Sequence, residues 1–264
     1  MKVIYRIYSD WDLARVGFLA SHGIKVDPGF GSFEIEETGY LKLKDQLDKW
    51  NVDISYGTLY EEDEISNSSY LLYAGSWANG YPQPESNFGY IGTTYDDKHY
   101  CRTCGTGAVQ QSAFRLKKRP NWGSKKVFNL NWVFDELFVR KDLYEEVFKK
   151  YNLENRPVLL FKKESVIEDT VQLSIPKITV RLNLDTQPFE VCQTCNRKKY
   201  NPQIKGFFPS FKEELNSDWA MFKSEEYFGS GASAHNKIFI TQALRQDLLK
   251  HGVKIQFVPV NSSN

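Results

Sequence analysis

Cysteine is scarce and confined in this chain of 264 residues. There are four, and none lies outside two pairs of one spacing, Cys101-Arg102-Thr103-Cys104 and Cys192-Gln193-Thr194-Cys195. Four are too few for a disulfide scaffold at this length. Long apolar runs are missing: no stretch approaches the ~20 residues that a membrane helix needs, so no membrane span is expected. An excess of one charge is missing as well. The net charge is +1, which removes any global electrostatic case for nucleic acid or a membrane surface. The opening Met1-Lys2-Val3-Ile4-Tyr5-Arg6-Ile7-Tyr8 carries Arg6 inside its apolar run and no small-residue cleavage site. It reads as a first strand and not as a signal peptide. A reducing cytoplasm with metal-bound thiolates is the expected setting. No His-x-Glu accompanies the Cys-x-x-Cys pairs, which disfavours a zinc deaminase. No His-Glu-x-x-His or nucleophile-elbow motif occurs.

What is plentiful is aromatic: six Trp, 15 Tyr and 18 Phe. Such side chains build bulky cores and also protein-binding surfaces. Apolar alternation predicts strands at 1–8, 32–35, 157–161, 171–175, 178–184, 237–240 and 253–258, and a strand or helix approach at 127–134. Helical spacing predicts a helix through Leu13, Val16 and Leu19 ending near Gly23. Others carry Leu43, Leu47 and Trp50; Leu143, Val147 and Phe148 after an Asp142/Glu145 capping box; and Leu244, Leu248 and Leu249 ending at Gly252. Residues 70–100 are expected to be loops with short strands, and 196–230 to be irregular. Helices and strands mixed without a βαβ rhythm argue an α+β fold with mixed sheets and few helices. Residues 1–264 are expected to form one globular unit. A subdivision into 1–95 and 96–264 is possible, with 105–191 inserted between the two cysteine turns.

The cysteine pairs predict two zinc-knuckle turns that meet around one structural Zn2+, with Cys101, Cys104, Cys192 and Cys195 as ligands. Gly105 follows the first turn and Asn196 the second. These are the two residue types best suited to the positive φ such turns demand. The turns lie 87 residues apart, a separation whose closure cost grows only slowly with length. Four thiolates fill the coordination shell, so the site would be structural. Arg115, Lys117, Lys118, Arg119, Arg197, Lys198 and Lys199 would offset its charge. Two redox dithiols are the alternative, but those usually sit at a helix start.

Three further features carry weaker expectations. Glu61-Glu62-Asp63-Glu64 is either a solvated loop or an acidic face for a basic protein partner. The bases at 115–119, interleaved with Phe114, Trp122 and Phe128, suit a nucleic-acid surface together with Arg197, Lys198 and Lys199. His235 ends a Gly/Ser-rich loop. It reads either as a general base beside Ser230 or Ser233, or as part of a plain flexible connection.

The two spaced Cys-x-x-Cys turns, the first followed by Gly105, resemble the bacterial double-CxxCG proteins. The closing segment is similar too: Ile240-Thr241-Gln242-Ala243-Leu244, a helix to Gly252, then Phe257-Val258-Pro259-Val260. The resemblance covers the turns and about the last 25 residues, and Asn196 departs from the second glycine. It implies a cytoplasmic, immunity-type protein that binds and neutralises a toxin domain, with zinc as a structural element.

Overall fold

The computed structural model describes residues 1–96, 98–202, 204–215 and 218–262. The chain divides into two compact units, Met1–Glu64 and Ile65–Asn264.

In the first unit, β1 (Lys2–Trp11), α1 (Leu13–Ser21), β2 (Gly29–Glu36), α2 (Glu37–Trp50) and β3 (Asp53–Leu59) follow in order. The strands form an antiparallel sheet ordered β2-β1-β3. Alternate residues Val3, Tyr5 and Ile7 are buried with Trp11, Leu19, Leu43 and Leu47, so one sheet face takes the apolar stripes of both helices. Tyr5 stacks on Tyr40 at 3.9 Å between ring centroids. Asp12 caps α1 by accepting the Arg15 N–H at 2.8 Å.

A short helix α3 (Glu62–Ser66) follows. The second unit then contains β4 (Tyr70–Gly75), β5 (Trp77–Ala78), α4 (Tyr90–Thr94), β6 (Tyr95–Asp96), β7 (Val109–Gln110), β8 (Arg115–Leu116), β9 (Val127–Leu130), β10 (Val133–Arg140), α5 (Lys141–Glu146), β11 (Glu154–Leu160), β12 (Ser165–Ser174), β13 (Phe189–Val191), β14 (Lys198–Tyr200), β15 (Met221–Phe228), β16 (His235–Thr241), α6 (Gln242–Lys250) and β17 (Gln256–Pro259). Two six-stranded mixed sheets dominate, ordered β5-β9-β10-β12-β11-β8 and β13-β14-β15-β16-β4-β17. Period-two alternation sorts their side chains into three apolar layers. Leu137, Val139, Ile238, Ile240, Leu71 and Met221 meet between the sheets, where α5 and α6 add Leu143, Leu244 and Leu248. Phe138 and Phe128 face the opposite way, onto Tyr95 and Phe114. Phe239, Phe222 and Leu72 face Phe208, Phe211 and Leu182.

The α+β class with mixed sheets and few helices is therefore as expected. No helix among the described residues is long and apolar enough to cross a membrane. Several details differ from the sequence pattern. The division falls after Glu64 and not near residue 95, because β4 pairs with both β16 and β17. Residues 178–184 form no strand; Ile178, Leu182 and Leu184 are buried, but the backbone makes only isolated bridges such as Leu182 to Phe211. Residues 196–230 are not irregular throughout, since β15 lies inside them. The helix after Arg140 starts at Lys141 and stops at Glu146. There the Asp142 carboxylate accepts the adjacent Leu143 N–H and holds Arg140, so it does not act as the first cap.

Candidate metal centre

The two cysteine turns are built alike. In the first, the Gly105 N–H donates to Cys101 O at 2.7 Å and the Cys101 N–H to Thr106 O at 2.9 Å. In the second, the Asn196 N–H donates to Cys192 O at 2.8 Å and the Cys192 N–H to Arg197 O at 3.0 Å. Both turns close on a left-handed residue, Gly105 at φ +80° and Asn196 at φ +56°. Gly105 has a second constraint: a Cβ there would lie 2.3 Å from Ala232 O and 2.8 Å from Ala234 N.

The four Sγ atoms lie within 4.8 Å of one another. Cys101 Sγ is 3.8 Å from Cys192 Sγ, and Cys104 Sγ is 3.6 Å from Cys195 Sγ. A disulfide would need about 2.0 Å. The edge of a tetrahedron of sulfurs about 2.3 Å from a central zinc is about 3.8 Å. The donor set therefore fits a metal ion. The Thr103 and Thr194 hydroxyls sit 3.1 Å apart. The Thr106 hydroxyl contacts Cys104 Sγ at 3.1 Å. The Cys104 backbone N–H, pointed at Cys101 Sγ, lowers that thiol's pKa to about 6. The Cys195 backbone N–H likewise lowers that of Cys192. Burial pushes Cys104 up to about 11. Backbone N–H groups aimed at the sulfurs favour the thiolates that metal ligands must be.

The basic residues near the turns fall into two sets. Arg197 Nη1 donates to His99 O at 2.6 Å and to Thr106 O at 3.3 Å, tying the second turn to the first. Lys199 is 1 % exposed. Its Nζ donates to Cys104 O at 3.2 Å and to Gly231 O at 2.5 Å, and pairs with Glu190 at 3.0 Å. Lys199 is buried and Arg197 half-buried, and both hold the cysteine turns. Arg115 is held by Glu164 at 2.9 Å. Lys117, Lys118 and Arg119 are exposed, and Lys198 lies 3.9 Å above the Phe189 ring.

Ser230 and Ser233 line a cavity of about 850 Å³, and His235 lines an adjoining one of about 530 Å³ that shares Phe134 and Asn236 with it. Burial lowers the His235 pKa to about 4, so the ring is neutral. The Gly/Ser loop is no slack connection either: Lys199 holds Gly231 O, and the loop rests against Gly105. In the acidic run, Glu61, Glu62 and Asp63 are exposed, while Glu64 accepts the Glu61 N–H at 2.9 Å and pairs with the Met1 ammonium.

Sequence reasoning missed a buried polar chain in the second unit. Lys223 Nζ meets Glu136 Oε1 at 2.6 Å, and Gln172 Nε2 donates to Glu136 Oε2 at 2.9 Å. Only Glu136 within the otherwise apolar end of β10, Leu137-Phe138-Val139, hinted at it.

Comparison with protein families, curated proteins and solved structures found no match for the chain.

Proposed function

We propose that Cys101, Cys104, Cys192 and Cys195 hold one structural zinc ion, and that the protein acts by binding another protein, as an immunity-type inhibitor of a bacterial toxin domain in the cytoplasm. The convergence of four sulfurs carries the first half. A zinc so bound would supply a crosslink between the two turns and leave no coordination position for water. The second half rests on the resemblance to the double-CxxCG proteins and on the exposed acids Glu61, Glu62 and Asp63.

Elemental mass spectrometry on protein purified without added metal is expected to find one zinc per chain, with four thiols reactive only after unfolding or chelation. Metal-free protein with reactive native thiols would overturn the zinc. For the partner, co-expression with a toxin domain encoded beside this chain is expected to restore growth. Charge reversal at Glu61, Glu62 and Asp63 is expected to abolish that protection. Unchanged protection would remove this surface from the proposal.

A further inference from the structure

The 850 Å³ cavity lies in the second unit. It takes wall residues from both six-stranded sheets, from the 87–110 segment and from the Gly/Ser loop. Its size falls within the ~300–1,000 Å³ common for small-molecule sites. One side is aromatic: Tyr90, Tyr95, Trp132 and Phe134 line it, with Trp132 stacked on Tyr90 at 6.1 Å.

The charges along the wall do not balance. Lining side chains bring four cations, Arg102, Arg156, Lys177 and Lys223, against two carboxylates, Asp135 and Glu136. Lys223 and Glu136 neutralise each other, and Asp135 accepts the Asn236 N–H at 3.0 Å. Lys177 has a distant partner in Glu225 at 3.9 Å. Arg156 is different. It is half-buried, and its one side-chain hydrogen bond among the described residues is a long contact, Nη1 to Gln110 O at 3.4 Å. Among the described residues it has no carboxylate partner. A planar guanidinium with most of its N–H donors unused, in a partly dry site, is suited to a ligand acid group.

Backbone strain collects at the same place. Asn87, Phe88 and Trp132 all line the cavity and all hold positive φ, at 53°, 54° and 69°. Such a conformation costs on the order of 1–3 kcal/mol for a non-glycine residue and persists where the surroundings impose it, often at ligand sites. Trp132 follows Asn131 in the tight β9–β10 turn, and it packs on Tyr81 and Phe88 at 4.4 and 4.6 Å.

We propose that this cavity is a binding site for a small aromatic organic acid, its ring against the Tyr90–Trp132 wall and its acid group on Arg156. The site is independent of the toxin-inhibitor reading and would stand if that reading failed. The test uses two probes of one ring system, titrated into the full-length protein by fluorescence and calorimetry. They are 8-anilinonaphthalene-1-sulfonate, an anion, and N-phenyl-1-naphthylamine, which is uncharged.

One sulfonate per chain is expected. Arg156→Gln should weaken it about ten-fold or more, the loss of a charge-assisted hydrogen bond, while the uncharged probe changes less than about two-fold. Arg156→Lys should recover part of the sulfonate affinity. Arg119→Gln, at an exposed base outside the cavity, should change neither probe. Retained binding of the uncharged probe certifies that the Gln variant is folded. Absence of stoichiometric sulfonate binding, an unchanged sulfonate affinity in Arg156→Gln, or equal weakening of both probes in the Gln and Lys variants would each overturn the proposal.

Discussion

Cys104→Ser is expected to cost the protein its metal and to lower the melting temperature of the second unit by about 8–16 °C. A structural zinc bound about a thousand-fold above its dissociation constant stabilises the state that binds it by about 4 kcal/mol. For a unit of this size each kcal/mol moves the midpoint by about 2–4 °C. The effect should be local first. The first turn, the second turn and the Gly/Ser loop depend on one another through Arg197, Lys199 and the close approach at Gly105. Hydrogen exchange should therefore accelerate at 101–107, 192–197 and 229–234. The apolar layer between the sheets owes nothing to the metal, and β10, β12 and β16 should keep their protection. Thr103→Val is the contrast: it removes the exposed hydroxyl contact to Thr194 and should cost no more than about 1 kcal/mol. Scanning calorimetry with elemental analysis reads both. A metal-free Cys104→Ser protein that melts with the wild type would show that the cluster carries no stability.

The cysteine turns were legible because their constraints are local. Cys-x-x-Cys followed by Gly105 or Asn196 specifies a left-handed closure within five residues, and both residues adopt it. The helix stopping at Gly252 was equally readable, since the cap and the apolar spacing lie on one short segment. What could not be read depends on partners distant in sequence. Ile178, Leu182 and Leu184 alternate like a strand and are buried like one, yet no neighbouring strand supplies a continuous ladder. Lys199 follows Cys195 in a run of bases expected to offset the thiolate charge, but its burial cannot be read from that run. Only the pairing of β14 with β13 and β15 places it beneath the first turn. Short strands are expected among loops over 70–100, but nothing in the segment places one of them inside a sheet. Leu71, Leu72 and Tyr73 are buried all the same, because β4 sits between β16 and β17.

Glu136→Ala is expected to destabilise the second unit by about 3–5 kcal/mol, the cost of leaving a buried cation without its counter-charge. Lys223 and Glu136 are among the most enclosed charged side chains of the protein, at 11 % and 10 % exposure, and meet at 2.6 Å. Burial raises the Glu136 pKa while Lys223 pulls it down; burial works to lower that of Lys223, and Glu136 and Asp135 together outweigh it. Removing the Glu136 carboxylate leaves burial opposed by Asp135 alone, so the Lys223 pKa should fall below its unfolded value of about 10.4. The sign follows. A lysine whose folded pKa is depressed contributes full stability only above its unfolded pKa, and loses it as pH falls through the folded one. The Glu136→Ala deficit should accordingly be large at pH 7 and shrink as pH rises towards about 10. Glu136→Leu combined with Lys223→Met removes both charges at similar volume and should restore stability to near or above the wild type. Urea unfolding of the three proteins at pH 7 and pH 9.5 distinguishes these outcomes. A Glu136→Ala protein within about 1 kcal/mol of wild type at pH 7 would mean that water reaches the pair, and that the cavity wall around it is far wetter than its burial implies.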